Sequence, residues 1–366
     1  MRNRRPFFAV ASIILGTLAG LVLAEFGLRY YTHYIQSVES MDPGFLIYDS
    51  QFGWQMAPNW KGRHRHYDFD VHYTTNFSGL RGPWPEPTPG RPRYAFLGDS
   101  FTFGLGVNDD ETFVQRLSKA EPFNVYLNAG VAGYSTDQEY LYLKQRILEW
   151  RLNGVALVVY LANDLLDNTL QFPLQAEMGK PLFVLESQKL RLTNVPVPVR
   201  PKPPEEHHRT LGTMILGEAA AREQSASWRS QWQLAQRLGV EARPSDETLA
   251  RIPDRLSSAV DLFLSVTQEM RRVCEQNQVT LKLILMPGRS YVELPDSVSA
   301  GFQDYMRQTI LARQSSMGVP VLDLATALRE QYRQNGKRLF HPNEGHLTAL
   351  GHEVVSQLLR DTIINK

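Results

Sequence analysis

The sequence contains a single cysteine, Cys274, among 366 residues. One thiol excludes an intrachain disulfide and a zinc site built on several cysteines, so packing must stabilise the fold. A charge excess of one sign is also missing, because 39 Lys and Arg balance 38 Asp and Glu. Proteins that bind nucleic acids over a broad surface usually carry a clear basic excess, so we expect no nucleic-acid partner. Hydrophobic residues make up 43% and charged residues 21%, which is typical of a sizeable globular core.

Long apolar runs are missing everywhere except at the N-terminus. Arg2, Arg4 and Arg5 precede an uncharged run over residues 6–24. As a helix rising about 1.5 Å per residue, this run would span close to the roughly 30 Å hydrocarbon core of a bilayer. A cleavable signal sequence has the same charge pattern, but its apolar region is usually about 7 to 15 residues long. We therefore favour an uncleaved transmembrane anchor over residues 1–25 and keep a cleaved signal as the alternative.

The positions of the basic residues also predict a topology. Positive charge tends to stay on the cytoplasmic side, so residues from about 26 onward would lie across the membrane. The chain is thus predicted to be a single-pass membrane protein with a periplasmic or extracellular domain, or a secreted protein if the N-terminal segment is cleaved.

Residues 26–92 are predicted to form a linker and a β-rich extension. Hydrophobic and polar side chains alternate over residues 64–73, which is typical of a half-buried strand. The polar side of that strand would carry three histidines and two aspartates, namely His64, His66, Asp68, Asp70 and His72. Neighbours on one strand face lie about 7 Å apart, too far to share a tetrahedral zinc at about 2 Å. We therefore interpret this side as a solvated polar face and not as a metal site.

After residue 92, short apolar runs alternate with segments of helical periodicity. The apolar runs, which predict buried strands, are residues 94–97, 124–127, 156–161, 280–286 and 319–322. The segments predicted to be helical are residues 111–119, 138–150, 259–275 and 301–315. Strands separated by helices indicate a parallel sheet covered on both faces, with right-handed crossovers. Ligands of such folds lie at the carboxyl ends of the strands.

An insertion over residues 172–252 interrupts this alternation. Its first part is rich in proline and is predicted to be an extended connection. Its second part, over residues 211–238, is predicted to be a polar helix. A lid or flank near the site and a surface elaboration without a catalytic part are both consistent with this composition.

Small and polar residues follow three of the predicted strands. Gly98-Asp99-Ser100 follows the first, where a serine can act as a nucleophile or cap the next helix. The loop after the second strand contains Gly130 and Gly133, which allow a backbone N–H to approach a substrate oxygen. Asn163 follows the third strand and is either a further donor or a turn former. Near the C-terminus, a loop delivers His346 just before a helix.

The fingerprints of three other enzyme families are missing. The chain has no G-x-S-x-G elbow, no P-loop and no G-x-G-x-x-G motif, which argues against α/β-hydrolases, P-loop proteins and dinucleotide-binding proteins. The four blocks that are present resemble, in this order, those of the SGNH hydrolases, also called the GDSL esterase/lipase family. The resemblance covers roughly residues 94–362 without the insertion.

This resemblance implies a three-layer α/β/α flavodoxin-like sandwich with a parallel sheet of about five strands, in a domain that we assign to residues 93–366. It also implies a nucleophile at Ser100 and a base at His346. The Ser100 and Gly133 backbone N–H groups and the Asn163 side chain would form the oxyanion hole, with Gly130 as an alternative to Gly133.

The chain departs from the family pattern at one position. The family usually has an aspartate three residues before the histidine, where this chain has Asn343, followed by Glu344. An amide can orient an imidazole but cannot stabilise an imidazolium by charge, and a comparable change in a serine protease costs about 10⁴ in rate. We therefore predict Glu344 as the third catalytic residue and keep Asn343 as the alternative that orients His346.

The implied activity is that of a serine esterase acting on an ester, most simply an O-acyl bond, without a metal or organic cofactor. Two alternatives stay open. One is an O-acyltransferase on envelope polysaccharide that uses the same residues, and the other is a non-catalytic subunit that binds carbohydrate or protein. The expected partners are an ester-bearing carbohydrate or lipid and, through the N-terminal helix, the membrane.

Overall fold

Apolar runs form the strands of the central sheet, and helices connect these strands. The structure is a computed structural model that describes residues 5–36, 38–85, 90–187, 189–226, 250 and 252–360. The strands are β1 (Glu39–Met41), β2 (Leu46–Asp49), β3 (Gly53–Met56), β4 (Lys61–His66), β5 (Phe69–Thr74), β6 (Arg93–Gly98), β7 (Val125–Gly130), β8 (Gly154–Tyr160), β9 (Leu182–Glu186), β10 (Lys189–Thr193), β11 (Thr280–Met286) and β12 (Val321–Asp323). The α-helices are α1 (Arg5–Tyr30), α2 (Ser100–Phe103), α3 (Phe113–Ala120), α4 (Thr136–Gln145), α5 (Asp164–Asp167), α6 (Leu211–Leu216), α7 (Glu218–Ala226), α8 (Ile252–Gln276), α9 (Arg289–Glu293), α10 (Val298–Met317), α11 (Leu324–Asn335) and α12 (Ala349–Leu359).

Five parallel strands form the central sheet in the order β12-β11-β8-β6-β7. Counted along the chain, this is the order 2-1-3-4-5 of flavodoxin-like folds. Helix α12 contacts α3 and α11 in one layer, and α8 contacts α4 and α10 in the other. The three-layer α/β/α sandwich implied by the sequence resemblance is therefore confirmed.

The helices follow from local sequence signals. In α8, Leu256, Val260 and Phe263 are buried, at the spacing that puts side chains on one helix face. Helix α10 begins after Ser297, whose side chain accepts a hydrogen bond from Ala300 N, and ends at Gly318 with φ of +64°. Helix α4 is shorter than predicted, because a 3₁₀ turn at Ile147–Trp150 replaces its last part.

The N-terminal helix α1 is 26 residues long and continues into a π-helical segment, Tyr31–Gln36. Phe8–Tyr34 has the length and composition of a membrane span, and only 6% of its most apolar window is buried. A core helix would be mostly buried, so the exposure of α1 argues against a core helix. A membrane span and a signal sequence near the N-terminus both fit this helix.

The prediction of one strand over residues 64–73 was wrong. These residues form the antiparallel hairpin β4–β5, in which His64 lies opposite Val71. Opposite residues of a hairpin share a face, so the turn between the strands brings His64 to the buried side. Its Nδ1 lies 2.8 Å from the Tyr73 hydroxyl, and only 1% of its surface is exposed. A solvated face is found at Asp70, which pairs with Arg63.

The insertion is more structured than predicted. Its first part, predicted to be an extended connection, contains two strands that pair as the antiparallel hairpin β9–β10. The proline-rich stretch after it packs against the N-terminal extension, since Val197 N donates to Ser50 O at 2.8 Å. Helices α6 and α7 lie in the second part. The remainder of the helix predicted to reach residue 238 falls outside the described residues.

Candidate active site

Ser100 lies at the carboxyl end of β6, where the chain turns sharply into α2. The turn needs glycine at position 98, because φ is +155° and a Cβ there would lie 2.2 Å from Thr102 Oγ1. Asp99 caps the helix, its carboxylate accepting a hydrogen bond from Phe101 N at 2.8 Å. Ser100 is the first residue of α2, so its N–H has no acceptor within the helix. Its hydroxyl and N–H are therefore both available at the end of the sheet.

The structure brings His346 and Glu344 to this serine. His346 Nε2 lies 2.6 Å from Ser100 Oγ, and His346 Nδ1 forms a hydrogen bond with Glu344. The second Glu344 oxygen accepts the His346 backbone N–H at 2.9 Å. An ionised carboxylate only accepts hydrogen bonds, so Nδ1 carries the proton and Nε2 is free to accept the Ser100 proton.

The charge of Glu344 fits this arrangement. Burial would raise the pKa of Glu344, but the His346 ring and the hydrogen bonds from its Nδ1 and backbone N–H outweigh it. The pKa of this carboxyl group is therefore lowered, and the group is ionised at neutral pH.

Asn343, the alternative orienting residue, donates from its side chain to Asp68 at 2.6 Å. The same Asp68 carboxylate accepts the backbone N–H groups of Asn343 at 2.8 Å and of Glu344 at 2.9 Å. Asp68 belongs to the turn of the β4–β5 hairpin, so the N-terminal extension holds the loop that carries Glu344 and His346. No sequence pattern indicated this contact, and Asp68 was predicted to lie on a solvated face.

Further contacts fix the same loop. The Arg289 guanidinium donates to the carbonyl of Pro342. Within the loop, His341 N donates to His346 O at 2.8 Å, and Gly345 N donates to His341 O at 3.0 Å. Because the loop is tied both to itself and to other parts of the fold, the imidazole of His346 is held in place before any substrate binds.

The loop after β7 contains the two glycines considered for the oxyanion hole. Gly133 has φ of +80°, and Trp54 of the extension donates from Nε1 to the preceding carbonyl, Ala132 O, at 2.9 Å. Gly130 is inside β7, and its N–H donates to Asn128 Oδ1 at 3.1 Å. A Cβ at Gly130 would lie 2.2 Å from Phe103 N, so this glycine allows α2 to pack against β7. Gly133 is thus the better candidate for a substrate contact.

Asn163 lies at the carboxyl end of β8 and is 7% exposed. Its Nδ2 donates to Asp167 Oδ2 at 2.9 Å, and Asp167 Oδ1 accepts Leu174 N at 3.0 Å. An amide nitrogen carries two hydrogens, so one remains for a ligand. Asp167 was not singled out in the sequence, although its position four residues after Asn163 in a short helix puts the two side chains on one face.

A buried carboxyl group lies behind the site in α4. Both carboxyl oxygens of Glu139 lack a hydrogen-bond partner within the described residues, and the side chain is fully buried. Burial first, and then the carboxyl groups of Asp99 and Asp137, raise the pKa of Glu139 well above its ordinary value. Asp137 itself forms a buried ion pair with Lys180 of the insertion. The insertion therefore supports the helix that follows the Gly133 loop.

Comparisons with known proteins are weak in sequence. No family model and no curated protein matches the chain. One similar solved structure is the acetyl xylan esterase AlAXEase, with 11% identity, 74% of this chain and 99% of that chain covered, and a TM-score of 0.43. Another is a catalytic mutant of the acetylxylan esterase Axe2 from Geobacillus stearothermophilus, with 10% identity, 76% and 95% covered, and a TM-score of 0.40. A member of the lipolytic protein G-D-S-L family from Veillonella parvula has 10% identity, 75% and 99% covered, and a TM-score of 0.38.

At these identities and TM-scores, the similarities carry no activity over to this chain, and its chemistry must be argued from its own residues. Two features are observed in this chain and do not depend on the comparisons. They are the strand order, and the positions of Ser100, Gly133 and Asn163 after strands β6, β7 and β8. The flavodoxin-like strand order itself agrees with the fold that the sequence motifs implied.

Proposed function

We propose that this protein is a serine esterase of the SGNH type, with Ser100 as nucleophile, His346 as base and Glu344 as the third catalytic residue. One observation carries the proposal, namely the continuous path of hydrogen bonds from Ser100 Oγ through the His346 ring to the Glu344 carboxylate. A serine hydroxyl is a weak nucleophile until an adjacent base accepts its proton. This path supplies that base in the required protonation state.

In the proposed reaction, His346 Nε2 accepts the hydroxyl proton while Ser100 Oγ attacks the ester carbonyl. The Ser100 and Gly133 backbone N–H groups and the Asn163 amide stabilise the negative charge that develops on the carbonyl oxygen. The imidazolium then gives its proton to the leaving alcohol, and the acyl group stays bound to Ser100. Water, deprotonated by His346, releases the acid and restores the serine.

Asn343 has a supporting part in this proposal. Its side chain binds Asp68, and so it stabilises the loop on which Glu344 and His346 lie. We further propose that the catalytic domain lies outside the cytoplasm on an N-terminal anchor, in line with the exposed apolar helix α1. The substrate would then be an O-acyl ester on an extracytoplasmic carbohydrate or lipid.

A fluorophosphonate probe tests the nucleophile. We expect the probe to label the wild type and Ser118→Ala but not Ser100→Ala. Ser118 is a suitable control because its hydroxyl donates to Val114 O within α3, at 3.1 Å. Equal labelling of Ser100→Ala and the wild type would refute the role of Ser100, and no labelling of any variant would favour a non-catalytic binding subunit.

An O-acyltransferase would use the same residues, with an acceptor hydroxyl in place of water. Product analysis with a polysaccharide acceptor separates the two activities. An esterase releases the free acid at the same rate with and without the acceptor, whereas a transferase moves the acyl group onto it.

A further inference from the structure

The end of the N-terminal helix has the features of a membrane boundary. The uncharged run ends at Glu25, which pairs with Arg29 one helical turn later at 2.7 Å. Beyond this pair, Tyr30 and Tyr34 are each 62% exposed. Tyrosine is enriched where transmembrane helices leave the hydrocarbon core, because its ring is apolar and its hydroxyl is hydrated. The segment around residue 31 therefore fits the headgroup level of a bilayer.

This boundary segment contacts the catalytic domain. The Tyr31 and Tyr67 hydroxyls form a hydrogen bond, and their rings meet edge to face with centroids 5.9 Å apart. Tyr67 lies in the turn of the β4–β5 hairpin and is 43% exposed. The hairpin turn is thus held at the level of the helix end.

The next residue of the same turn reaches the candidate active site. Asp68 accepts the backbone N–H of Glu344 at 2.9 Å, and Glu344 binds His346. Adjacent Cα atoms are only about 3.8 Å apart, so the contact with the anchor and the contact with the catalytic loop lie side by side. A single turn therefore joins the end of the anchor to the loop that carries the base.

We propose that the active site faces the bilayer surface and takes an ester carried at headgroup level by a membrane-embedded amphiphile, in preference to an ester on a soluble polymer. This substrate class rests on the proposed esterase function. An enzyme and a substrate confined to one surface meet at a high effective concentration, which favours the lipid-borne ester. The Tyr31–Tyr67 contact is what orients the site toward that surface.

A pair of matched substrates tests the proposal. The full chain is placed in phosphatidylcholine vesicles and given an aryl acetate, either free in solution or attached by a short polar linker to the headgroup of phosphatidylethanolamine. Tyr67→Ala removes the contact with the anchor. Phe77→Ala removes another exposed aromatic ring, 60% exposed against 43% for Tyr67, which packs against Trp84.

We expect Tyr67→Ala to lower hydrolysis of the lipid-attached ester by about tenfold, because the anchored enzyme would no longer hold its active site toward the surface that carries the ester. Hydrolysis of the free ester should stay within about twofold of the wild type. Phe77→Ala should leave both rates unchanged. An unchanged ratio of the two rates in Tyr67→Ala would overturn the proposal, and so would an equal loss on both substrates, which would indicate a disturbed Asp68 turn.

A second measurement does not depend on catalysis. Headgroup-linked benzophenone lipids should cross-link to the β4–β5 hairpin in the wild type and equally in Ser100→Ala. Cross-links at the amino ends of the central strands, where β6 begins at Arg93 and β8 at Gly154, would overturn the proposed orientation. If the hairpin cross-links but neither ester is hydrolysed, the esterase function is refuted and the substrate class with it.

Discussion

Replacement of Glu344 by glutamine is the most informative change in the candidate site. Glutamine keeps the shape of the side chain and an oxygen that can accept the His346 backbone N–H, which lies 2.9 Å away in the wild type. It removes the negative charge next to Nδ1, and its NH₂ group can instead donate to Nδ1. The imidazole would then carry its proton on Nε2, which faces Ser100 Oγ at 2.6 Å and could no longer accept a proton.

The expected loss follows from this change of tautomer. The comparable carboxylate-to-amide change in a serine protease lowers kcat about 10⁴-fold, or about 5.5 kcal/mol of transition-state stabilisation. The Glu344 side chain is 13% exposed, so water can replace little of the lost charge. We expect kcat for a soluble aryl acetate to fall by about 10³ to 10⁴, with a much smaller change in KM, because the carboxylate contacts the base and not the substrate.

Asn343→Ala is the matched comparison for Glu344→Gln. It removes one of the hydrogen bonds to Asp68 but keeps the two from the backbone, so kcat should change by less than about tenfold. Stopped assays of both variants on the same aryl acetate give the comparison. If Asn343→Ala abolishes turnover while Glu344→Gln retains it, the assignment of Glu344 is wrong.

Four further predictions concern the parts that support the site. Asp68→Ala should lower kcat by about 10- to 100-fold, the scale of a displacement of about 1 Å, and steady-state kinetics should find KM less affected. Despite its burial, hydrogen bonds from the catalytic loop lower the pKa of Asp68, so its stabilising effect should be lost only as the pH falls through and below its ordinary value of 3.8. The difference in melting temperature between the wild type and Asp68→Ala should therefore shrink over that pH range. Gly130→Ala should fail to fold or melt at a much lower temperature, because a Cβ there meets backbone at 2.2 Å, whereas Gly301→Ala, where a Cβ meets nothing within 4 Å, should be neutral or stabilising. Glu139→Gln should raise the melting temperature at neutral pH and leave it nearly unchanged below the ordinary pKa of 4.5. The reason is that an acid with a raised pKa destabilises the fold increasingly as the pH rises. An increase in melting temperature that is the same at pH 4 and pH 8 would contradict this explanation.

The central sheet could be predicted from the sequence because its strands are buried on both faces and are therefore continuous apolar runs. The predicted strand ends differ from the observed ones by up to three residues, since the last residues of a strand depend on its neighbours. The positions of the loops that follow these strands could also be predicted, because each loop begins where an apolar run ends. Once the sheet is parallel, Ser100 and Asn163 must lie at its carboxyl edge, whatever the details of packing.

Asp68 and Trp54 could not be predicted, because their contacts join parts of the chain that are far apart in sequence. Asp68 binds residues 275 and 276 positions away, and Trp54 reaches a carbonyl 78 positions away. Alternation of polar and apolar residues predicts on which side of a strand each residue lies, but it does not predict where a hairpin turn occurs. The turn at residues 67 and 68 reversed the predicted sides of β4, and with them the expected exposure of His64.

The most direct test of the proposed chemistry is the identification of a covalent acyl-enzyme. Wild type and Glu344→Gln are mixed with an aryl acetate, quenched in acid within milliseconds to seconds, and digested for peptide mass spectrometry. The proposed mechanism predicts an acetyl group on Ser100 in the wild type, with the same adduct forming much more slowly in Glu344→Gln. An acetyl group on another residue, or turnover that persists in Ser100→Ala, would contradict the assignment of Ser100 as the nucleophile.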